Sequence, residues 1–221
     1  MAVTGPSHVG SAKCADRPGP RPAARTPLGR STVEQGGLDE PHEGNSAMPQ
    51  PQNIHHVGVL VENLEDAIRK WSLGTGYTFS EIGRYRTEFY SDHSNPRPHH
   101  HDARISFSKE GPPHIELMEF HGAGTHSAAQ GEGIHHLGFM DHPRVEGVKT
   151  DLEAAGMRSD GVATDESGAI LLWFTEKSDL HGIRLEFVSP VPQPIVMDDG
   201  SPAYRDARGF PSLWPPEPDT V

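Results

Sequence analysis

Cysteine, long apolar runs and positive charge are all scarce in this chain of 221 residues. The single cysteine, Cys14, excludes a disulfide framework and a thiolate metal site. No apolar run approaches the roughly 18 residues that a membrane span requires, and no secretory core is visible. The formal net charge is −12. Because the chain lacks a basic stripe that would displace phosphate counterions, we predict no nucleic-acid partner. The missing apolar span, secretory core and disulfide framework predict a cytoplasmic protein without a membrane partner.

Large apolar side chains are also scarce in residues 1–47, which are rich in Gly, Pro, Ser and Arg. Such a stretch cannot bury enough surface to offset the entropy of ordering it, so we predict a disordered leader. The hydrophobic pattern begins only after Met48, which makes Met48 a candidate for the true start. A transit peptide is the alternative, because residues 16–30 contain four arginines and a single acidic residue, Asp16. The dense prolines and the missing amphipathic period argue against it.

What the sequence does contain is a repeat. Ile-His-His-Val-Gly begins at Ile54, and Ile-His-His-Leu-Gly begins at Ile134. Each copy is followed later by a second matching segment, His-Ile-Glu-Leu around Glu116 and Arg-Leu-Glu-Phe around Glu186. The repeat predicts two modules of the same order, strand–helix–strand–strand–strand, at residues 53–121 and 133–189.

The first module is predicted to open with a β-branched strand and continue into a helix capped by Asn63 and ended by Gly74 and Gly76. The apolar stripe of that helix has i, i+3, i+4, i+7 spacing and consists of Leu64, Ala67, Ile68 and Trp71. Its strands are expected at Ile54–Val61, Tyr77–Ile82, Arg104–Ser108 and His114–Phe120. Within the stretch 83–102, Thr87–Tyr90 is a candidate strand segment and the rest is expected to be a loop, so the run His99-His100-His101 is interpreted as solvated rather than as a metal site.

The second module repeats this order, with a helix capped by Asp141, with Pro143 in its first turn, and ended by Gly156. One face of that helix carries Val145, Val148 and Leu152. Its strands are expected at Gly133–Met140, Met157–Val162, Ala169–Thr175 and Ile183–Val188. A Gly-rich, Ala-rich and Ser-rich linker covers 122–132. The Pro-rich tail, 190–221, is expected to lie extended on the surface, where it would be able to cover a neighbouring subunit of a homodimer.

A lone module of this size has a poor core, so the two are expected to pair about a pseudo-two-fold axis. The predicted fold class is α+β, with two tandem βαβββ modules forming a cupped mixed sheet around a metal site. Glu116 and Glu186 each stand mid-strand between apolar neighbours, where a carboxylate is costly unless it is paired or metal-bound. Two carboxylates and two histidine pairs predict one divalent ion, Zn, Ni, Co, Mn or Fe. The pattern alone leaves open which histidine of each pair binds it.

The duplicated unit, its opening Ile-His-His segments and its closing Ile-Glu-Leu and Leu-Glu-Phe segments resemble the vicinal oxygen chelate superfamily over about residues 53–189. That superfamily includes glyoxalase I, methylmalonyl-CoA epimerase, extradiol dioxygenases and bleomycin-resistance proteins. The resemblance implies metal ligands on the first and last strand of each module, namely His56, Glu116, His136 and Glu186. It leaves His55 and His135 facing solvent or supporting the ligands.

A carboxylate at position 116 resembles the isomerase and lyase members, whereas extradiol dioxygenases use two histidines and one glutamate. The resemblance therefore implies an enzyme that forms an enolate-type intermediate from a small carbonyl or thioester substrate, with Glu116 and Glu186 as catalytic bases. A drug-sequestering resistance-type protein, with or without metal, and a ring-cleaving dioxygenase are the alternatives. Arg84, Arg86 and Arg104 form the one basic cluster that would suit glutathione or a coenzyme A phosphate. The non-ligand catalytic glutamate of methylmalonyl-CoA epimerases has no clear match, and Glu88 is its nearest candidate.

Overall fold

The computed structural model describes residues 51–217, and the predicted leader, 1–47, lies outside them. Within the described part, no helix is both long enough and apolar enough to cross a membrane. The first module comprises β1 (His56–Val61), α1 (Leu64–Thr75), β2 (Gly83–Asp92), β3 (Asn95–Phe107) and β4 (His114–Glu119). The second comprises β5 (Gly133–Phe139), α2 (Val145–Ala154), β6 (Ser159–Thr164), β7 (Ile170–Thr175) and β8 (Arg184–Val188). The order predicted from the repeat is confirmed in both modules.

The sheet closes on itself. Its strand order is β3-β4-β1-β5-β8-β7-β6-β2, and β2 pairs with β3 as well as with β6. The modules therefore meet twice, at the antiparallel pairs β1–β5 and β2–β6. The result is a curled, barrel-like mixed sheet with a helix on the outside of each module, as the predicted α+β class requires.

Alternating side chains divide the apolar residues between the inside of the curled sheet and the helices. Leu117 packs with Leu64 and Ala67 of α1, whereas its neighbour Met118 joins the interior cluster. The second module repeats this arrangement, because Phe187 packs against Val145 of α2. The predicted apolar faces of both helices are confirmed, including the Asn63 cap, whose side chain accepts a hydrogen bond from the Asp66 backbone. The start predicted for α2 is wrong, because Asp141 adopts a φ of 54° and the helix begins only at Val145.

The stretch between 77 and 107 differs most from the sequence-based prediction. Instead of a strand at 77–82 followed by a loop, it contains the long hairpin β2–β3, and Phe79 forms only an isolated bridge. The three consecutive histidines lie on β3 rather than in a solvated loop, and His101 is buried. Burial alternates along β3 through His101, Ala103 and Ile105, a pattern that is hard to recognise when its first members are histidine and alanine.

The tail, which is predicted to lie extended on the surface, adds three short strands. Its first strand, β9 (Ile195–Met197), pairs with β2 beside Gly83, and β10 (Tyr204–Arg205) pairs with β11 (Pro211–Ser212). Met197 and Leu213 are buried in the interior cluster, so the tail is anchored to the interior at these two positions, whereas its other described residues are exposed or partly exposed. Asp198 fastens it through ion pairs of 3.0 Å with Arg84 and 3.0 Å with Arg104.

Candidate metal centre

Strand register brings the four predicted ligands to one place. In the β1–β5 pair, His56 stands opposite Gly138 and Gly58 stands opposite His136. The parallel neighbour β4 places Glu116 beside Gly58, and β8 places Glu186 beside Gly138. Each module therefore supplies one histidine from its first strand and one glutamate from its last, in two adjoining rows across the middle of the sheet.

The glycines leave room for the histidine rings. A Cβ atom added at Gly58 would lie 2.1 Å from Cε1 of His136, and one added at Gly138 would lie 2.0 Å from Cε1 of His56. No real side chain tolerates so short a contact, so only glycine lets each imidazole lie flat across the opposite strand. This explains why both copies of the repeat place a glycine two positions after the ligand histidine.

The four ligand atoms form a compact group on the inside of the sheet. His56 Nε2 lies 2.9 Å from His136 Nε2. Glu116 Oε2 lies 3.3 Å from His56 Nε2 and 3.1 Å from His136 Nε2, and the corresponding distances from Glu186 Oε2 are 2.9 and 3.5 Å. In a tetrahedron with edges near these values, the centre lies about 2.0 Å from each corner, which matches the usual Zn–N and Zn–O lengths of about 2.0–2.2 Å. The group can therefore hold a metal ion.

Electrostatics favour a positive charge at this centre. Burial lowers the pKa of the His56 imidazole, but hydrogen bonds and charge interactions with Glu116 and Glu186 outweigh it and raise that pKa to about 10. Burial raises the pKa of the Glu116 carboxyl group, but hydrogen bonds with His136 and His56 outweigh it and hold that pKa well below its usual range. Two carboxylates in a buried site require a cation, and a divalent ion supplies that charge better than one proton does.

Aromatic rings enclose the two histidines symmetrically. Phe107 on β3 meets the His56 ring edge-on, with centroids 5.6 Å apart, and Phe174 on β7 meets the His136 ring with centroids 5.2 Å apart. Phe107 is paired with Glu116 across the sheet, and Phe174 is paired with Glu186. Sequence analysis missed Phe107, although it lies in register with the candidate ligand Glu116, so the repeat could have identified it once the strand pairing was known.

The linker between the modules, in which no site is predicted from the sequence, contributes to the interior. Thr125 and His126 are buried, and His126 stacks on His135 with ring centroids 5.0 Å apart. His135 is 3% exposed, so it does not face solvent, whereas His55 is partly buried. Burial lowers the pKa of His126 and of His135 well below the usual range for histidine, with further contributions from neighbouring rings, so both are neutral near pH 7.

Other residues considered from the sequence lie away from this centre. Arg84, Arg86 and Arg104 are each paired with acidic side chains of the protein itself. Glu88 is exposed and pairs with His100 at 2.7 Å. His93, Asp160 and Glu176 form a second group of possible ligands. The Asp160 carboxylate of this group already forms an ion pair with Arg184 at 2.5 Å.

Comparison with known proteins concerns the family of the chain. A sequence model of the Glyoxalase/Bleomycin resistance protein/Dioxygenase superfamily matches residues 55–159. Residues 55–159, which span the first module and the beginning of the second, are therefore similar to this superfamily, the vicinal oxygen chelate proteins, as the repeated segments indicated. No curated protein matches the chain.

Solved structures with some similarity include a hypothetical protein from Bacillus halodurans C-125 (19% identity, covering 63% of this chain and 95% of that chain, TM-score 0.43). Methylmalonyl-CoA epimerase from Mycobacterium tuberculosis has 17% identity, covering 66% of this chain and 95% of that chain, with a TM-score of 0.44. A single-substitution variant of the Streptomyces coelicolor methylmalonyl-CoA epimerase, in complex with 2-nitronate-propionyl-CoA, has 17% identity, covering 63% of this chain and 99% of that chain, with a TM-score of 0.41. The family assignment rests on the sequence match and on the duplicated βαβββ units.

Proposed function

We propose that this protein is an enzyme that uses one divalent metal ion to isomerise, epimerise or cleave a small carbonyl or thioester substrate through an enolate-type intermediate. The observation that carries this proposal is the convergence of two histidines and two glutamates, one of each from either module, on one buried point. Zn, Ni, Co, Mn and Fe ions all suit this donor set.

The proposed ligands are His56, Glu116, His136 and Glu186. An ion held by them would polarise a substrate carbonyl as a Lewis acid and make the neighbouring C–H more acidic. All four side chains are buried, with Glu116 7% and Glu186 6% exposed. The site therefore excludes bulk water, and each charge within it acts over a low-dielectric path.

The two glutamates are the proposed proton carriers. Glu116 enters from β4 and Glu186 from β8, so the carboxylates approach the centre from different modules. Two bases on different sides of one carbon are what epimerisation requires, because the proton leaves one face and returns to the other. The depressed pKa of Glu116 keeps it ionised near pH 7, which is the form that accepts a proton.

A resistance-type binding protein without metal is the first alternative. It would keep two carboxylates buried with only neutral or singly protonated imidazoles for compensation, at a cost of several kcal/mol per uncompensated ion. A ring-cleaving dioxygenase is the second alternative, and it would leave the second glutamate without a role. The four-ligand group therefore favours the proton-transfer enzyme.

Deuterium uptake at the α-carbon of candidate substrates, acyl-CoA thioesters and hydroxyketones, tests the proposal. We expect the wild-type protein loaded with metal to catalyse exchange in D₂O, and Glu116→Gln and Glu186→Gln to reduce it by about 100-fold or more, as expected for loss of a general base. Glu153→Gln is the matched control, because Glu153 is exposed and pairs with Lys149 on the outer helix α2.

Unchanged exchange in both ligand variants would remove Glu116 and Glu186 as bases. Tight binding of a ligand without exchange would instead indicate a sequestering protein. Oxygen consumption with a catechol would indicate the dioxygenase.

A further inference from the structure

Each proposed ligand histidine is touched by the histidine that precedes it in the chain. His135 Nδ1 lies 3.0 Å from His136 Nδ1, and His55 Nδ1 lies 3.1 Å from His56 Nδ1. Two imidazole nitrogens at this distance share one proton, so one of them donates and the other accepts. The direction of that hydrogen bond decides which nitrogen of the ligand histidine is free to bind an ion.

The surroundings of His135 define this direction. Its other nitrogen, Nε2, lies 2.8 Å from the backbone carbonyl oxygen of Thr125. A carbonyl oxygen can only accept, so His135 Nε2 carries a hydrogen and donates it. His135 is 3% exposed, and with its hydrogen on Nε2 the ring presents the lone pair of Nδ1 to His136 Nδ1, which lies 3.0 Å away.

His135 Nδ1 must therefore accept a hydrogen bond from His136 Nδ1. The Nε2 atom of His136, which faces His56 and Glu116, is then left with a free lone pair. A lone pair at this atom is what a metal ion needs from a neutral imidazole.

We propose that His135 is a positioning residue of the metal centre, which holds the proton of His136 on Nδ1 and so aims Nε2 at the ion. His55 is its counterpart in the first module, where the same contact recurs at His56. This inference rests on the metal centre of the proposed function. It explains why both copies of the repeat contain two histidines, although only one of each pair reaches the centre.

Metal-binding histidines usually donate their second N–H to a carboxylate, a backbone carbonyl or water, and loss of such a partner typically weakens metal binding by 10–100-fold. In this chain a neutral imidazole stands between the ligand and the carbonyl of Thr125. The Thr125 backbone N–H is in turn held by Asp92 Oδ2 at 3.2 Å. The loop between the modules is thus connected to the ligand through His135.

Competition titrations with Zn²⁺ test the role of His135. We expect His135→Leu, which keeps much of the buried volume but offers no acceptor, to weaken Zn²⁺ binding by about 10–100-fold. His135→Asn retains an acceptor near the position of Nδ1 and is expected to restore most of the affinity. Leu64→Val is the control for loss of buried volume, because Leu64 is also fully buried but packs in the separate cluster beneath α1, and it is expected to leave Zn²⁺ affinity unchanged.

The NMR signal of the His136 Nδ1 proton gives a second measurement in the Zn²⁺-loaded protein. We expect it downfield and slow to exchange in the wild type and in His135→Asn, and fast-exchanging in His135→Leu. Equal losses of affinity in the Leu and Asn variants, or wild-type affinity in both, would overturn the proposal.

If His135→Leu does not fold, the histidine tautomers of the wild-type protein labelled with ¹⁵N decide the question. His135 must carry its hydrogen on Nε2, and a hydrogen on Nδ1 would overturn the proposal. Failure of the wild type to bind Zn²⁺ at all would instead refute the metal centre itself, so the two failures are distinguishable.

Discussion

Replacement of Gly58 by alanine tests the link between the fold and the metal centre. The new Cβ would lie 2.1, 2.4 and 2.5 Å from three atoms of the His136 ring, whereas ordinary van der Waals contact begins at 3.4 Å. The ring must therefore retreat by about 1.3 Å, although metal–ligand distances tolerate changes of only about 0.2 Å. We expect Gly58→Ala to lose His136 as a ligand.

Loss of a hydrogen-bond partner of a metal ligand weakens metal binding by about 10–100-fold, and loss of the ligand itself should weaken Zn²⁺ binding by at least that much. Overpacking is expected to cost about 1–3 kcal/mol in the free energy of unfolding. Competition with a coloured chelator measures the first quantity, and urea unfolding of the ion-free protein measures the second. Gly138→Ala, which would displace the His56 ring, should behave in the same way.

Gly74→Ala is the matched control for this experiment. Gly74 lies in α1, and an added Cβ would meet nothing within 4 Å. The substitution should stabilise the protein by about 0.5–1 kcal/mol and leave Zn²⁺ binding unchanged. Wild-type affinity in Gly58→Ala would refute the reasoning, because the ring would then not need the space above the glycine.

Three further predictions concern the tail and the buried charges. Asp198→Ala removes the ion pairs that hold the tail to Arg84 and Arg104, so a protease should cut the tail faster than in the wild type. Asp199→Ala, which among the described residues loses a hydrogen bond from Ser201, should not change that rate. Asp160→Asn leaves the buried Arg184 without its carboxylate partner. The free energy of unfolding should therefore fall by about 3–5 kcal/mol in urea titrations, and a loss below about 1 kcal/mol would contradict this prediction. Burial raises the pKa of the Asp92 carboxyl group, but hydrogen bonds from Ser94, Thr125 and Asn95 outweigh this effect and lower that pKa. The contribution of Asp92 to stability is therefore present above the usual carboxyl pKa and is lost as pH falls through the pKa of the folded state. Asp92→Asn should therefore lose less stability on acidification than wild type, and an equal loss in calorimetry would refute the assignment.

The repeat explains why so much of the centre could be predicted from the sequence. The duplicated segments place His56 and Glu116 at positions equivalent to those of His136 and Glu186, and the alternation of side chains along a strand assigns each pair to one face. Because each module alone buries little apolar surface, the two modules pair, and this pairing brings their equivalent faces together. The helix faces were predictable for a similar reason, because the spacing of Leu64, Ala67 and Ile68 is a local property of the chain.

The missed parts depend on contacts between segments that are distant in the chain. β3 begins with Asn95 and has two prolines among its first four residues, a composition typical of loops, and it is held as a strand by its pairing with β2. The burial of Leu213 depends on Gly83, since a Cβ at that glycine would lie 2.2 Å from the leucine side chain. The role inferred for His135 depends on the Thr125 carbonyl, whose position is set by a loop without periodicity.

The most direct test of the metal centre is a titration of the purified, ion-free protein with Co²⁺, followed by the visible absorption of the bound ion. The wild type should bind one equivalent per chain, and folded variants with His136→Ala or Glu186→Gln should bind much more weakly. Tight binding that survives both substitutions, or no stoichiometric binding by the wild type, would contradict the proposal that these side chains share one ion.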